Sequence, residues 1–364
     1  MSFDKIKKNF GFGCMRLKMT DDKVDYPEFS RMIDGYMEAG FNYFDTAHGY
    51  LGGQSETALR DCLVSRYDRE SFVLTNKLSN LYFETEQEIL PLFETQLKQC
   101  GVAYFDFYLF HALSRRTYDK YKACNCFGTV QQLKAEGKVK HIGMSFHDSA
   151  DILDKILTEQ PCIEVVQLQF NYLDFDDPSV QSKACYDVAV KHGKKVLVME
   201  PVRGGALVNL PEQATKILEN YHGSTASFAL RFAASFPEVF MVLSGMGTME
   251  MMEDNIQTFT NFIPFSEAEF TAAKQIREII RKDRQIPCTK CNYCTEACPQ
   301  GIPVPDLFAL YNQVLAAKIS RAEFKTALPQ DKPSAAECIK CGGCEKACPQ
   351  NIKVRQHLEK IEKL

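Results

Sequence analysis

Short apolar segments alternate with amphipathic segments over most of the chain, and this alternation limits the possible folds more than any other feature. Eight apolar runs have the character of strands, at residues 10–15, 42–46, 72–77, 105–111, 141–145, 165–170, 195–200 and 240–244. Helical patterns lie between them, at residues 26–39, 84–100, 127–136, 150–157, 180–192, 225–234 and 249–259, and a further one covers 266–282. Eight strands alternating with helices over roughly 260 residues predict a (β/α)8 TIM barrel. A doubly wound open sheet is the weaker alternative, because no strand precedes a Gly-x-Gly-x-x-Gly turn.

Cysteine is concentrated near the C-terminus. Eight of the 15 cysteines form two copies of the motif Cys-x-x-Cys-x-x-Cys-x-x-x-Cys-Pro, namely Cys288, Cys291, Cys294 and Cys298, then Cys338, Cys341, Cys344 and Cys348. This spacing is typical of thiolate ligands to cubane iron–sulfur clusters, so the sequence predicts two [4Fe–4S] clusters. Zinc is the weaker alternative, because zinc ribbons use paired Cys-x-x-Cys motifs with longer gaps.

The repeated motif resembles that of bacterial two-cluster ferredoxins, in which the fourth cysteine of each run binds the other cluster. On that resemblance, one cluster uses the first three cysteines of the first run with Cys348, and the other uses the first three of the second run with Cys298. We therefore expect a small helical ferredoxin-like domain at residues 287–364. A linker helix at 263–286 would join it to a barrel formed by residues 1–262.

Polar residues stand where three of the predicted strands end. Asp45 and Tyr50 follow the second strand, Lys77 ends the third and His111 ends the fourth. Barrel enzymes carry their chemistry at the C-terminal ends of strands, so we expect these side chains to meet at one mouth. A carbonyl that accepts hydride needs a proton, and tyrosine, with a reference pKa of about 10, needs a nearby cation to donate one near neutrality. Lys77 supplies that cation, Asp45 holds Lys77, and His111 orients the substrate oxygen.

The motifs Phe-Asp-Thr-Ala-x-Gly-Tyr, Thr-x-Lys-Leu and Phe-His around these residues resemble those of aldo-keto reductases in composition, order and spacing. The resemblance spans roughly residues 10–260. It implies that Asp45, Tyr50, Lys77 and His111 form that family's catalytic tetrad. It also implies hydride transfer between NAD(P)H and a small carbonyl or alcohol substrate.

The same resemblance implies a cofactor site in the loops after strands five to eight, formed by Ser145, Gln167, Arg203, Gly204, Gly205, Ser244, Gly245, Gly247 and Asn255. Phe146 and Met199 depart from the family pattern, and residues 244–255 contain no Lys or Arg for the 2′-phosphate of NADP. FMN is the alternative cofactor. Nicotinamide moves electron pairs whereas clusters move single electrons, and flavin is the usual carrier between the two.

The remaining features limit partners and location. A net charge of −4 and a pI near 6.0 give no reason to expect nucleic acid or an anionic membrane as partner. No apolar run reaches membrane-spanning length, so we expect a cytoplasmic protein. We also expect a small-molecule substrate, and a redox partner protein is possible. Two other functions stay open. The barrel could merely hold a cofactor in an electron-transfer or redox-sensing protein, and the vicinal Cys124 and Cys126 could carry redox chemistry.

Overall fold

The structure is a computed structural model that describes residues 3–283, 286–316, 318–328 and 332–364. Eight parallel strands close into a barrel in chain order: Phe10–Gly13, Tyr43–Asp45, Val73–Ser79, Phe105–Leu113, Val139–Phe146, Val165–Gln169, Lys195–Met199 and Val239–Gly245. The first strand closes the barrel by pairing Phe10 with Val242 of the eighth strand and Gly11 with Tyr43 of the second. The predicted (β/α)8 barrel is confirmed, and the open doubly wound sheet is wrong.

The barrel interior explains why its strands are so apolar. A buried cluster fills the barrel with Tyr43, Val73, Phe107, Leu109, Val165, Leu197, Met241 and Leu243. Two strand positions must be glycine because their neighbours leave no room for a side chain. A Cβ on Gly11 would lie 2.6 Å from Leu243, and one on Gly143 would lie 2.4 Å from Leu109.

Helices surround the barrel at Tyr26–Glu38, Gln54–Leu59, Ile89–Cys100, Tyr118–Ala123, Cys126–Ala135, Ala150–Glu159, Ser182–Lys191, Thr225–Ala234 and Met249–Thr260. The first of them shows how the sequence specifies such a helix. The Asp25 carboxylate caps its N-terminus by accepting from the Glu28 backbone N–H, and one face buries Phe29, Ile33 and Tyr36. Among the described residues, no helix is both long and apolar enough to span a membrane.

Several short elements escaped the sequence analysis. A two-stranded hairpin pairs Met19–Thr20 with Lys23–Val24, and its turn places Asp21 and Asp22 at positive φ. The helices Gln54–Leu59, Tyr118–Ala123 and Glu212–Leu218 are each seven residues or shorter. Elements of this length contain too few turns for an apolar period to stand out in the sequence.

Two compact units can be separated. The first comprises Met1–Val202 and His222–Phe270, and the second comprises Arg203–Tyr221 and Thr271–Leu364. The helix Glu267–Asp283 therefore contributes to both. The second unit also contains the helices Glu212–Leu218, Tyr293–Glu296, Val304–Leu315, Arg321–Ala327, Gly343–Ala347 and Val354–Glu362. The boundaries after residues 262 and 286 stay a prediction.

The second unit has its own small core, in which apolar residues and cysteines mix. Ile302, Leu307, Phe308, Val354 and Leu358 are buried together with two of the cysteines, and four more cysteines pack against this cluster. A core this small gains considerably from metal ligation.

Candidate functional site

A buried ion pair lies at the ends of the second and third barrel strands. The Lys77 ammonium donates to Asp45 Oδ1 at 2.7 Å and to the Thr46 carbonyl oxygen at 2.7 Å. The side chains of Lys77 and Asp45 are 1% and 5% exposed. Burial raises the pKa of Asp45 and lowers the pKa of Lys77, while the charge of each partner opposes these shifts. Asp45 Oδ2 is buried and has no hydrogen-bond partner among the described residues.

Tyr50 and His111 lie beside this pair. The Lys77 Nζ atom is 4.9 Å from the centroid of the Tyr50 ring, and the Tyr50 and His111 rings meet edge to face with centroids 6.0 Å apart. Tyr50 is held in a one-turn 3-10 helix whose next residue, Leu51, has a φ of 56°. The structure therefore brings Asp45, Tyr50, Lys77 and His111 together at one end of the barrel.

The His111 imidazole is held by its neighbours in a neutral state. Its Nδ1 atom shares a hydrogen bond with the Ser79 hydroxyl, which comes from the end of the third strand. Burial lowers the pKa of His111 well below its usual value, and the charge of Lys77 lowers it further. A neutral imidazole has one nitrogen that donates and one that accepts, so its hydrogen-bond partners set which is which.

A buried polar network behind the mouth was missed by the sequence analysis. Glu56, on the short helix after the second strand, is fully buried; it pairs with His48 Nδ1 at 2.9 Å and accepts from Asn76 Nδ2 at 2.7 Å. Gln96 extends the network by donating to Asn76 at 3.1 Å and to the Lys77 carbonyl at 2.9 Å. The network thus fixes the backbone of Lys77. In the sequence, the only indication of this network was His48, which occupies the variable position of the Phe-Asp-Thr-Ala-x-Gly-Tyr motif.

Of the predicted cofactor residues, four with polar side chains lie in the barrel unit, namely Ser145, Gln167, Ser244 and Asn255. Gln167 is buried and its Oε1 atom has no hydrogen-bond partner among the residues described. The Ser145 hydroxyl accepts from the Ala112 backbone N–H at 2.8 Å, next to His111. Asn255 Nδ2 donates to the Ser244 hydroxyl at 3.1 Å. The orphaned acceptor of Gln167 is what a carboxamide N–H donor would satisfy, so these residues fit a nicotinamide.

Arg16 places a cation next to residues 244–255, a segment that contains no Lys or Arg of its own. Its side chain lies against the backbone of Gly245, where an added Cβ would be 3.2 Å from Arg16, and its carbonyl oxygen is close to Gly247. Its guanidinium pairs with Glu200 at 3.7 Å and is 35% exposed. Arg16 lies three residues beyond the first strand, at a strand end that carried no recognised motif.

The other predicted cofactor residues, Arg203, Gly204 and Gly205, belong to the second unit. All three have positive φ values, of 51°, 61° and 87°, which only glycine adopts without strain. The residue Arg203 is 3% exposed, and its guanidinium donates from Nη2 to the Pro287 carbonyl oxygen at 3.3 Å.

Three of the four cysteines of the first motif line one cavity in the second unit. Cys288, Cys291 and Cys294 line it together with Cys348 from the second motif and with apolar residues such as Phe308. No three Cys, His, Asp or Glu side chains of the described residues gather closely enough to share one metal ion. A cubane places its four thiolates on four different irons, so its ligands need not meet at one point. The donor set of this cavity fits such a cluster.

The second motif has a related arrangement. Burial and the neighbouring charge of Glu345 raise the pKa of Cys344 to about 11, and Cys338 and Cys298 lie within electrostatic range of it. Cys341 Sγ is 3.8 Å from the position that a Cβ on Gly343 would occupy. Cys348 of the second motif thus lines the cavity beside the first motif, and Cys298 of the first motif lies near Cys344 of the second. Because burial opposes ionisation, these thiols would lose their protons to solvent only when a bound metal takes the place of the protons on sulfur.

The vicinal cysteines after the fourth strand do not have the features of a redox pair. Cys124 and Cys126 are both buried, and the Cys124 Sγ atom lies 3.4 Å from the Glu84 carbonyl oxygen. Burial, together with the neighbouring Cys124, raises the pKa of Cys126 to about 12. A thiol with a raised pKa is a poor nucleophile, so this alternative loses support.

Comparison with known families matches both parts of the chain. Residues 9–278 match the sequence profile of the aldo/keto reductase family, and residues 287–352 match that of a 4Fe-4S dicluster domain. The second match supports iron–sulfur clusters over zinc.

Individual relatives are distant but cover most of the barrel. The NADH-specific methylglyoxal reductase of Escherichia coli is 23% identical over 298 residues, which cover 69% of this chain and 88% of that protein. The holo form of an aldo-keto reductase from Bacillus halodurans has a TM-score of 0.62 at 23% identity, covering 74% of this chain and 92% of that one. An aldo-keto reductase from Klebsiella pneumoniae in complex with NADP and acetate has a TM-score of 0.60 at 16% identity, covering 74% and 91%. The solved structures share the barrel fold.

Proposed function

The chain belongs to the aldo-keto reductase family and carries a 4Fe-4S dicluster domain, and from that premise we propose that it interconverts a carbonyl compound and its alcohol at the barrel mouth. The observation that carries the proposal is the position of the Lys77 ammonium, fixed by Asp45 and 4.9 Å from the Tyr50 ring. A cation so placed stabilises the phenolate form of Tyr50 and makes the phenol a stronger acid.

Each of the four residues then has a distinct role. Tyr50 donates a proton to the oxygen of the reduced carbonyl, and Lys77 stabilises the phenolate that remains. Asp45 fixes the ammonium by its hydrogen bond. With the Ser79 hydroxyl donating to Nδ1, the neutral His111 carries its hydrogen on Nε2 and donates it to the substrate oxygen.

The cofactor site uses the polar groups beyond the last strands. A nicotinamide bound there supplies the hydride, and FMN is the alternative occupant. Gln167 would accept from the carboxamide through its unpartnered Oε1 atom. Ser145, Ser244 and Asn255 would complete the polar lining, and Gly245 and Gly247 would let the backbone approach a phosphate near Arg16. We also propose, as the family resemblance implies, that the backbone N–H groups of Gly204 and Gly205, two residues at positive φ, bind a cofactor phosphate.

In the second unit, we propose two [4Fe–4S] clusters with ligands exchanged between the motifs. Cys288, Cys291, Cys294 and Cys348 would hold the first, and Cys338, Cys341, Cys344 and Cys298 the second. Bound clusters move single electrons, which suits exchange with a redox partner protein. The cytoplasm, a reducing compartment, would keep these thiols available to iron.

The test uses full-length protein purified without oxygen. Tyr50→Phe removes only the acidic hydroxyl, so we expect kcat for reduction of small aldehydes by NADH or NADPH to fall at least about 100-fold. The cluster absorbance and the affinity for the nicotinamide should stay as in the parent protein. Tyr67→Phe removes a hydroxyl that donates to Asp34 of the helix Tyr26–Glu38, and it serves as the matched control. An unchanged kcat in Tyr50→Phe would refute the role of Tyr50 as the acid. Detection of flavin released from the denatured protein would show that FMN, not a nicotinamide, is the cofactor.

A further inference from the structure

The two cysteine motifs belong to repeats of equal length and opposite charge. Residues 287–314 contain the first motif, and residues 337–364, which lie 50 positions further along the chain, contain the second. The first repeat has one Lys or Arg against two Asp or Glu, whereas the second has six against four. Because the whole chain has a net charge of −4, the second repeat is a basic region of an acidic protein.

The loops that carry the two motifs also differ in exposure. Thr289, which follows the first cysteine of the first motif, is 2% exposed, whereas its counterpart Ile339 is 60% exposed. Cys341 is exposed as well, while its counterpart Cys291 is half-buried. A single exposed apolar side chain is ordinary on a protein surface. Ile339, however, lies between two proposed ligands of the second cluster, so this loop is where the ligands of a cluster are most open to solvent.

The last helix, Val354–Glu362, places basic residues beside this loop. The Arg355 guanidinium donates from Nη1 to the Lys340 carbonyl oxygen at 3.4 Å, and the Lys340 ammonium pairs with Glu359 at 3.0 Å. Lys363 follows Glu359 by four residues, so it lies on the same side of the helix. Ile339, Lys340, Cys341, Arg355 and Lys363 therefore form one surface, which we call the basic loop face.

The positive charge of this region is not cancelled within the repeat. Ion pairs join Lys340 to Glu359 and Arg355 to Glu345. The four other lysines of the repeat are all exposed, namely Lys346, Lys353, Lys360 and Lys363. They outnumber the two other acidic residues, Glu337 and Glu362. The surroundings of the basic loop face consequently keep an excess of positive charge.

An exposed apolar side chain within a basic surface suits a short-lived complex with an acidic protein. Electron-transfer complexes bury little surface, so a small apolar contact is enough. Opposite charges on the two proteins raise the rate at which they meet, and salt weakens this attraction. Since electron transfer slows steeply with distance, the cluster with the more exposed ligands is the one that a docked carrier would reach.

We propose that the basic loop face is the docking site of an acidic one-electron carrier protein, which exchanges an electron with the second cluster. This docking site rests on the proposed function, because it requires that Cys338, Cys341, Cys344 and Cys298 bind that cluster. In the exchange, one electron leaves the reduced carrier and enters the oxidised cluster, and no proton or group moves with it. The first cluster then exchanges electrons with the second.

The experiment uses full-length, anaerobically purified protein and reduced flavodoxin, an acidic FMN protein, as the probe. Stopped-flow absorbance of the clusters gives the second-order rate constant for their reduction. At low ionic strength, we expect Lys363→Glu to lower this rate constant about fivefold. The difference should vanish in about 1 M salt, where the Debye length is about 3 Å. Lys98→Glu is the matched control, because Lys98 is also exposed and lies in the last turn of the barrel helix Ile89–Cys100.

A second variant tests the apolar contact. Ile339→Thr introduces the residue type that the first motif has at this position, and it changes no cysteine. We expect it to lower the rate constant about threefold at every salt concentration, because salt does not screen an apolar contact. Ile263→Thr, at an isoleucine of the barrel unit that is 66% exposed, is the control and should keep the parent rate constant.

The outcomes separate the docking site from the clusters. A parent protein without iron would contradict the proposed clusters, and the docking proposal would fall with them. With iron present, equal rate constants in Lys363→Glu and Lys98→Glu overturn the docking site alone. A shift of the midpoint potentials in Lys363→Glu that accounts for its slower reduction also overturns it. Oxidation of the reduced clusters by cytochrome c, a basic carrier, should be no slower in Lys363→Glu, and an equal loss of rate with both carriers would overturn the proposal.

Discussion

Replacing Lys77 by methionine tests the buried ion pair most directly. Methionine keeps much of the volume and length of the lysine stem but removes the ammonium that compensates Asp45. That carboxylate is 5% exposed in its side chain, and its Oδ2 atom has no hydrogen-bond partner in the described ranges. In Lys77→Met it would lose its Oδ1 partner as well.

The expected loss of stability follows from this isolation. Removing one partner of a buried ion pair costs about 3–5 kcal/mol, because the other charge stays in a low-dielectric site. For a domain of this size, that corresponds to a fall in Tm of about 6–20 °C. The double variant Asp45→Asn, Lys77→Met leaves no uncompensated charge, so it should regain about 2 kcal/mol or more relative to Lys77→Met.

The penalty should also depend on pH. Burial already raises the pKa of Asp45, and the charge of Lys77 opposes that rise, so Lys77→Met raises the pKa of Asp45 further. A carboxyl whose pKa is raised in the folded state contributes stability at low pH and loses it as the pH rises through that folded pKa. The deficit of Lys77→Met should therefore grow from mildly acidic to mildly alkaline buffer, and the double variant should lack this trend.

Urea unfolding of the barrel, followed by circular dichroism at several pH values, measures these differences, with iron content as the control for the second unit. The reasoning fails if the double variant is as unstable as the sum of the two single variants, or if the Lys77→Met deficit shrinks as the pH rises. In either case the ammonium of Lys77 would not be what compensates Asp45.

Two further changes test the cofactor and cluster sites. Arg16→Met removes the cation beside Gly245, so the dissociation constant for NAD(P)H should rise about 5–10-fold in a fluorescence titration. Arg60→Met, at an exposed arginine, is the control. The same dissociation constant in both variants would contradict this role of Arg16. Cys348→Ala removes a proposed ligand of the first cluster, so about half the iron should be lost by chemical analysis. Cys162→Ala, in the barrel unit, should keep all of it, and full iron in Cys348→Ala would argue against Cys348 as a cluster ligand.

Much of the barrel could be predicted because its strands are short, buried and flanked by helices with clear stop signals. The predicted strand at 165–170 differs from the observed Val165–Gln169 by one residue. The predicted strand at 141–145 is longer in the structure, at Val139–Phe146, because its ends pair with neighbouring strands that periodicity cannot reveal.

The grouping of the four residues at the mouth could be predicted from the sequence for a topological reason. Parallel strands of a closed barrel end at the same rim, so residues at the ends of strands two, three and four must approach one another. The role of Glu56 could not be predicted in this way. It lies on a helix of six residues, and nothing in the sequence distinguishes its fully buried carboxylate from an exposed one. Its burial depends on the partners His48 and Asn76, which only the folded chain brings to it.

Arg16 and Arg203 mark a limit of a different kind. Arg203 was interpreted from its local segment, where it precedes two glycines typical of a phosphate loop. Arg16 follows a strand without a recognised motif and was not singled out. The folded chain places Arg16 beside Gly245 and Arg203 beside Pro287. Arg16 thus supplies a cation to a segment that has no Lys or Arg of its own. A charge acts over space rather than along the chain, and a segment without Lys or Arg is therefore not a site without a cation. The absence of basic residues at 244–255 consequently gives no ground for excluding a phosphate-bearing cofactor.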